Sequence, residues 1–310
     1  MEALSDEVVR TLAERYAETV AALGIPAGDP LLVLPNGEFF PDRFTSDAPS
    51  IERLVARLQG YAGLEALDIG VNLLGDAPVT EGSSCGTGGC GSGACATPSV
   101  GSAHARVERT PERWLLHVPA AELGDTIVLT ARLATSLGAI ALVERGAPAA
   151  ARLADGSEPE LAAVALGFGV LLLEASYVYR KSCGGPSVAC GTALGCSELA
   201  VLFALSVARE GHSLRSALGE LGTTQRAVVK AAAGIVADSV SLVRLLKETP
   251  ERVARGDFRL REGGSFFGKL FARRSRPKSE NERLEAALAA LERGASVDEL
   301  ASLVGPADGE

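Results

Sequence analysis

Six cysteines carry most of the reactive chemistry open to this 310-residue chain, and they fall into two groups of three. The first group, Cys85, Cys90 and Cys95, repeats every five residues in SSCGTGGCGSGACATPS (83–99). Almost everything between the thiols is glycine, serine, threonine or alanine, which cannot build a core but lets the backbone fold back on itself. Three thiolates brought together this way suit zinc or another thiophilic metal. The C-x4-C-x4-C spacing is neither the paired C-x2-C of a zinc finger nor a ferredoxin pattern. Thiol redox chemistry and a solvated loop with incidental cysteines therefore stay open beside it. His104 follows closely enough to complete a Cys3His set.

The second group lies in YRKSCGGPSVACGTALGC (179–196) and holds Cys183, Cys190 and Cys196. SCGGP reads as the end of one helix, with Cys190 just before the next and Cys196 inside it. A helix N-terminus favours thiolate, and Lys181 adds a positive charge near Cys183, the redox candidate of this group. Cys196 reads as a small buried apolar residue. The two groups could share one site if the glycine-rich loop folds over the helix junction. His117 reads as a strand surface residue and His212 as a helix-start residue without chemistry. GTGGCGSG joins no strand to a helix, so it is not taken as a phosphate loop.

The bulk composition limits the partners. A net charge of −9 argues against a nucleic-acid binder or a protein drawn to anionic lipid. The first twenty residues are charged and amphipathic, with no basic and apolar leader pattern, so a cytoplasmic, reducing location is expected. Residues 161–179 and 126–143 are apolar enough to raise a membrane question. Glu174 and Arg132 interrupt them, and centred charges are costly in a bilayer, so membrane association is not expected. A protein partner remains open.

The elements that must position these groups follow from periodicity. Apolar residues at helical spacing predict a helix over 5–23 and a second from Ser50, read as its cap. LLVLP (31–35) and LDIGVNLL (67–74) read as strands, with the turn-rich PNGEFFPDRF (35–44) between them. Residues 105–110 and 113–118 read as a hairpin. Helices are expected at 125–145, 158–181, 191–210, 213–221 and 224–247. A basic flexible linker (266–280) then leads to a helical tail (281–310), opened by a capping box of Ser279 and Glu282.

This order, together with LVLPNGEFFPDRF (32–44) and the acidic-headed apolar EPELAAVALGFGVLL (158–172), resembles a zincin-like metallopeptidase-related family of uncharacterised bacterial proteins. In that family an HExxH helix supplies two zinc-binding histidines on one face and a glutamate base. At the matching place this chain reads ARLAT (131–135). Ala131 and Thr135 stand where the ligands would be and Arg132 where the base would be. Glu160 falls at the position of the third, acidic ligand. The resemblance thus implies an inherited scaffold without peptidase chemistry. Arg132 is expected to fill the vacated site by pairing with Glu160, with Glu174 as a second buried partner.

The resulting expectation is an α+β protein: a small N-terminal sheet, a predominantly helical, zincin-like body over 1–265, and the helical tail. Its expected function is non-catalytic metal binding through Cys85, Cys90, Cys95, Cys183, Cys190 and His104, in a structural, sensing or partner-binding role. A thiol redox protein and a metal-free interaction module are the alternatives.

Overall fold

The computed structural model describes residues 4–75, 106–155, 157–182 and 185–261, all within one compact unit, Met1–Gly263. The linker and helical tail expected beyond residue 265, with Ser279 and Glu282, lie outside the described residues. The architecture is α+β, with helices predominating.

Helix α1, Asp6–Leu23, buries Val9, Leu12, Ala13, Tyr16, Val20 and Leu23, the i, i+3, i+4 stripe of an amphipathic helix. Ser5 caps its start and Gly24, at φ 63°, closes it in the left-handed conformation. Helix α2, Ala48–Tyr61, is capped by Asp47, whose Oδ1 accepts from the Ser50 N–H at 2.8 Å. The expected cap at Ser50 is thus displaced by three residues. Ser50 lies inside the first turn, where its hydroxyl bonds Thr45 at 2.6 Å.

Strands β1 (Ile69–Leu74), β2 (Val107–Arg109) and β3 (Trp114–Pro119) form a sheet in the order β1-β3-β2. β1 runs parallel to β3 from Ile69 opposite Trp114 to Leu74 opposite Pro119, while β2 runs antiparallel with Val107 opposite Leu116. β3 alternates strictly, burying Trp114, Leu116 and Val118, as a one-sided sheet requires. The topology returns the chain between β1 and β2 to the end of the sheet from which it left. Both stems of the cysteine-bearing segment are therefore anchored at the C-terminal end of β3.

The core is helical. Helix α3, Thr126–Glu144, is buried along most of its length and packs against α4, Glu158–Ala163, and α5, Gly169–Ala175. At Gly138 an added Cβ would strike the Pro159 carbonyl, so only glycine permits this approach of α3 and α4. α3 is the one helix among the described residues long and apolar enough to cross a membrane, and most of it is buried inside the protein.

The single helix expected over 158–181 is not seen. After α4 the chain makes a π-helical turn, Val164–Phe168, with Gly167 at φ 96°, before α5 resumes. The break has a visible cause. The Gly167 carbonyl accepts from the Val33 N–H at 3.1 Å, and a Cβ on Gly167 would collide with the Leu31 carbonyl. LLVLP therefore docks on a helix break instead of pairing as a strand, which corrects that expectation. Val33 is fully buried there.

Beyond α5 the chain turns into the hairpin β4 (Val178–Ser182) and β5 (Gly185–Ala189), paired antiparallel with Tyr179 opposite Val188. Helix α6, Cys196–Glu210, buries an apolar stretch from Leu199 to Leu205, with Ser206, Arg209 and Glu210 buried toward its end, and packs on α5 and α8. Helices α7 (Leu214–Glu220), α8 (Thr223–Ala237), α9 (Val240–Glu248) and α10 (Pro250–Ala254) complete the unit. The helix expected over 224–247 is two helices. Ser239, fully buried between them, donates to the Ile235 carbonyl at 2.8 Å and accepts from Arg261 N–H at 3.1 Å.

Candidate functional site

Helix α3 presents the ARLAT positions to two different environments. Ala131 is 1% and Thr135 6% exposed, both turned into the core, and the Thr135 hydroxyl donates to the Ala131 carbonyl at 2.9 Å. Arg132 leaves the helix about 100° further round and pairs with Glu122, in the short turn Ala120–Glu122 after β3. Glu122 is shared: Arg106, at the foot of the cysteine-bearing segment, grips it with two bonds of 2.7 Å. These residues do not fit a catalytic zinc. One is a methyl group, one is a cation held by a carboxylate, and one hydroxyl is already directed to a backbone carbonyl.

Glu160 does not meet Arg132, so the expected pair is replaced by two separate arrangements. The Glu160 side chain is turned toward the turn before α6. Its oxygens accept from Ala193 N–H at 2.6 Å and Leu194 N–H at 2.8 Å. Burial, opposed by these two donors and reinforced by Glu198, pushes its carboxyl up to about 7. The reason is positional: Glu160 opens a helix packed on α3, and the Ala193 and Leu194 amides of the turn before α6 stand within hydrogen-bonding reach of its carboxyl. Its neighbour Glu158, 1% exposed, pairs instead with Arg15 at 2.8 Å and Arg152 at 3.1 Å.

The second cysteine group sits in a different setting from the expected helix junction. Cys183 falls between β4 and β5 and lies outside the described residues, as do Cys85, Cys90, Cys95 and His104. Cys190 follows β5 rather than preceding a helix directly. It is exposed, and its thiol donates to the Thr192 carbonyl at 3.3 Å. The adjacent Gly191 donates to the Ala175 carbonyl at 2.8 Å and packs so tightly on Val128 of α3 that a Cβ would stand 3.2 Å from that side chain. Cys196 is partly buried at the first position of α6. Burial raises its thiol, with a Ser176 hydrogen bond opposing, so it lacks the thiolate character a helix N-terminus favours.

Among the described residues no group of three or more histidine, cysteine or acidic side chains is placed to hold a metal ion. His117 is held between Asn72 and Glu108, each at 3.0 Å, and His212 donates to the Pro30 carbonyl at 2.9 Å. Glu174 is half-buried on α5 and faces a cavity. Burial, with Glu220 nearby, raises its carboxyl. Sequence reasoning missed the arginines of that cavity, although the charged, phenylalanine-rich PNGEFFPDRF that lines it was already singled out.

Neither protein-family models, nor curated proteins, nor solved structures contain a match to this chain. Function must be argued from these residues alone.

Proposed function

We propose that this chain is a non-peptidase protein on a degenerate zincin-like scaffold that holds a thiophilic metal through its cysteines, in a structural, sensing or partner-binding role. The donors are Cys85, Cys90 and Cys95, with Cys190, Cys183 or His104 completing the set. Bound as thiolates, they would supply a closed site that orders the surrounding chain.

The observation that carries this reading is the shared anchorage of the two cysteine segments. The first returns to the sheet at Arg106, tied through Glu122 to Arg132. The second passes through Gly191, packed on Val128, one turn before Arg132 on the same helix. Both segments are thus tied to the first half of α3, one through Glu122 and Arg132 and the other by packing on Val128. The acidic net charge fits a protein that does not bind nucleic acid.

Elemental analysis of full-length protein purified without oxygen tests the proposal. Wild type is expected to carry stoichiometric zinc, iron or copper, lost when Cys85, Cys90 and Cys95 are all replaced by alanine and weakened by Cys190→Ser. Metal-free wild type with every thiol open to titration would overturn it. A reversible loss of thiols on mild oxidation would then favour the redox reading, which the exposed thiol of Cys190 makes chemically accessible.

A further inference from the structure

A cavity of about 520 Å³ opens between the 35–44 segment, α2, the start of α3 and α5. That volume lies within the range of small-molecule sites. Phe40, Phe44, Leu54, Ile127 and Leu171 make much of its wall apolar. The 35–44 segment is held in shape by Asn36, whose side-chain oxygen accepts from the N–H groups of Glu38 and Phe39 while its amide donates to Glu220 at 3.1 Å.

Three guanidinium groups line the same cavity: Arg43, Arg53 and Arg57. Arg57 is tied to Asp42. Arg53 donates to the Ser50 hydroxyl at 2.7 Å, and neither it nor Arg43 makes an ion pair among the described residues. Asp47 stands near Arg53, yet the cavity wall carries three guanidiniums against the carboxyls of Asp42 and Glu174, a local excess of positive charge in a chain of net charge −9. Guanidinium recognises carboxylate and phosphate through paired donors. At the α5 side stands Glu174, half-buried, with no hydrogen-bond donor or cation reaching it among the described residues. Its carboxyl is free to receive a donor from a molecule in the cavity.

We infer that this cavity binds a small amphipathic organic acid: an apolar body, an acid group held by Arg43 and Arg53, and a hydrogen-bond donor at the far end received by Glu174. The site is independent of the cysteines. Apolar burial supplies the main driving force, the arginines select for the anion, and Glu174 selects for the polar terminus.

Calorimetric titration of the full-length protein with decanoate, ω-hydroxydecanoate and decanol separates these contributions. Wild type is expected to bind both acids, the hydroxy acid about tenfold more tightly, and decanol more weakly than either. Replacing Arg43 and Arg53 together by alanine should weaken both acids about tenfold and leave decanol unchanged. Both side chains are exposed, so the variant should keep its fold, checked by its thermal unfolding. Glu174→Leu should erase the advantage of the hydroxy acid and strengthen decanoate. The inference is overturned if wild type binds neither acid, if decanol binds as tightly as decanoate, or if the arginine variant binds both acids unchanged.

Discussion

Glu160 shows how one carboxyl can be structural where a metal ligand was expected. It is 3% exposed and stitches the turn before α6 to α4 through two backbone N–H groups. Its proton is held more tightly in the folded chain, the carboxyl being raised from an ordinary 4.5 to about 7. Below 4.5 both folded and unfolded chains are protonated, so this stabilisation is complete. As pH rises from there to about 7, the unfolded chain releases the proton first, and the stabilisation is lost. The loss is at most about 3 kcal/mol. Urea unfolding across that pH window should show it in wild type and not in Glu160→Gln. The amide has one acceptor oxygen for two N–H groups, so Glu160→Gln should also be roughly 1–3 kcal/mol less stable at low pH. Equal pH slopes in the two proteins would contradict this account. The presence of an acid at position 160 was legible in the sequence. Its partners were not, because Ala193 and Leu194 contribute only backbone amides, which every sequence has.

At the scale of elements, the interrupted helix from α4 to α5 shapes the centre of the molecule. Gly167 stands at φ 96°, and its missing Cβ makes room for the Leu31 carbonyl while its own carbonyl receives Val33. Gly167→Ala combines a left-handed backbone with a backbone collision, and should cost roughly 3 kcal/mol or more. Thermal unfolding measures it. A variant within about 0.5 kcal/mol of wild type would show that the break is not needed. The apolar pattern of 158–172 correctly announced a buried helical segment. It could not announce the break, since hydrophobic periodicity does not register a carbonyl arriving from residue 31. The same limit explains LLVLP: an apolar run signals burial, but whether it pairs as a strand depends on finding a neighbouring strand. The hairpin of 107–119 was legible because its pairing is local, and Thr110 closes it on Arg113 with bonds of 2.7 and 3.0 Å.

Across the whole molecule, chain segments far apart in sequence are locked by buried charge. Arg209 and Glu210, with side chains 2% and 1% exposed, pair at the end of α6 and reach across to the loop after α1, where Arg209 donates to the Ile25 carbonyl and Glu210 accepts from Gly28 N–H. Removing one member strands the other charge in the core. Arg209→Met or Glu210→Gln should therefore cost about 3–5 kcal/mol in equilibrium denaturation. Replacing both should cost less than the sum of the single changes, and strict additivity would show that the two charges act separately.

The sequence by itself determined the α+β class, the amphipathic α1, the β2–β3 hairpin, the buried α3 and the absence of histidine and carboxylate from 131–135. All of these rest on residue identity or short-range periodicity. Only the tertiary structure decided that Arg132 pairs with Glu122, that Glu160 receives the 193–194 amides, that α4 breaks before α5, and that Arg43, Arg53 and Glu174 line one cavity. Those outcomes depend on which distant donors and acceptors arrive together, and a buried polar group takes whichever satisfying partner the packing brings within reach.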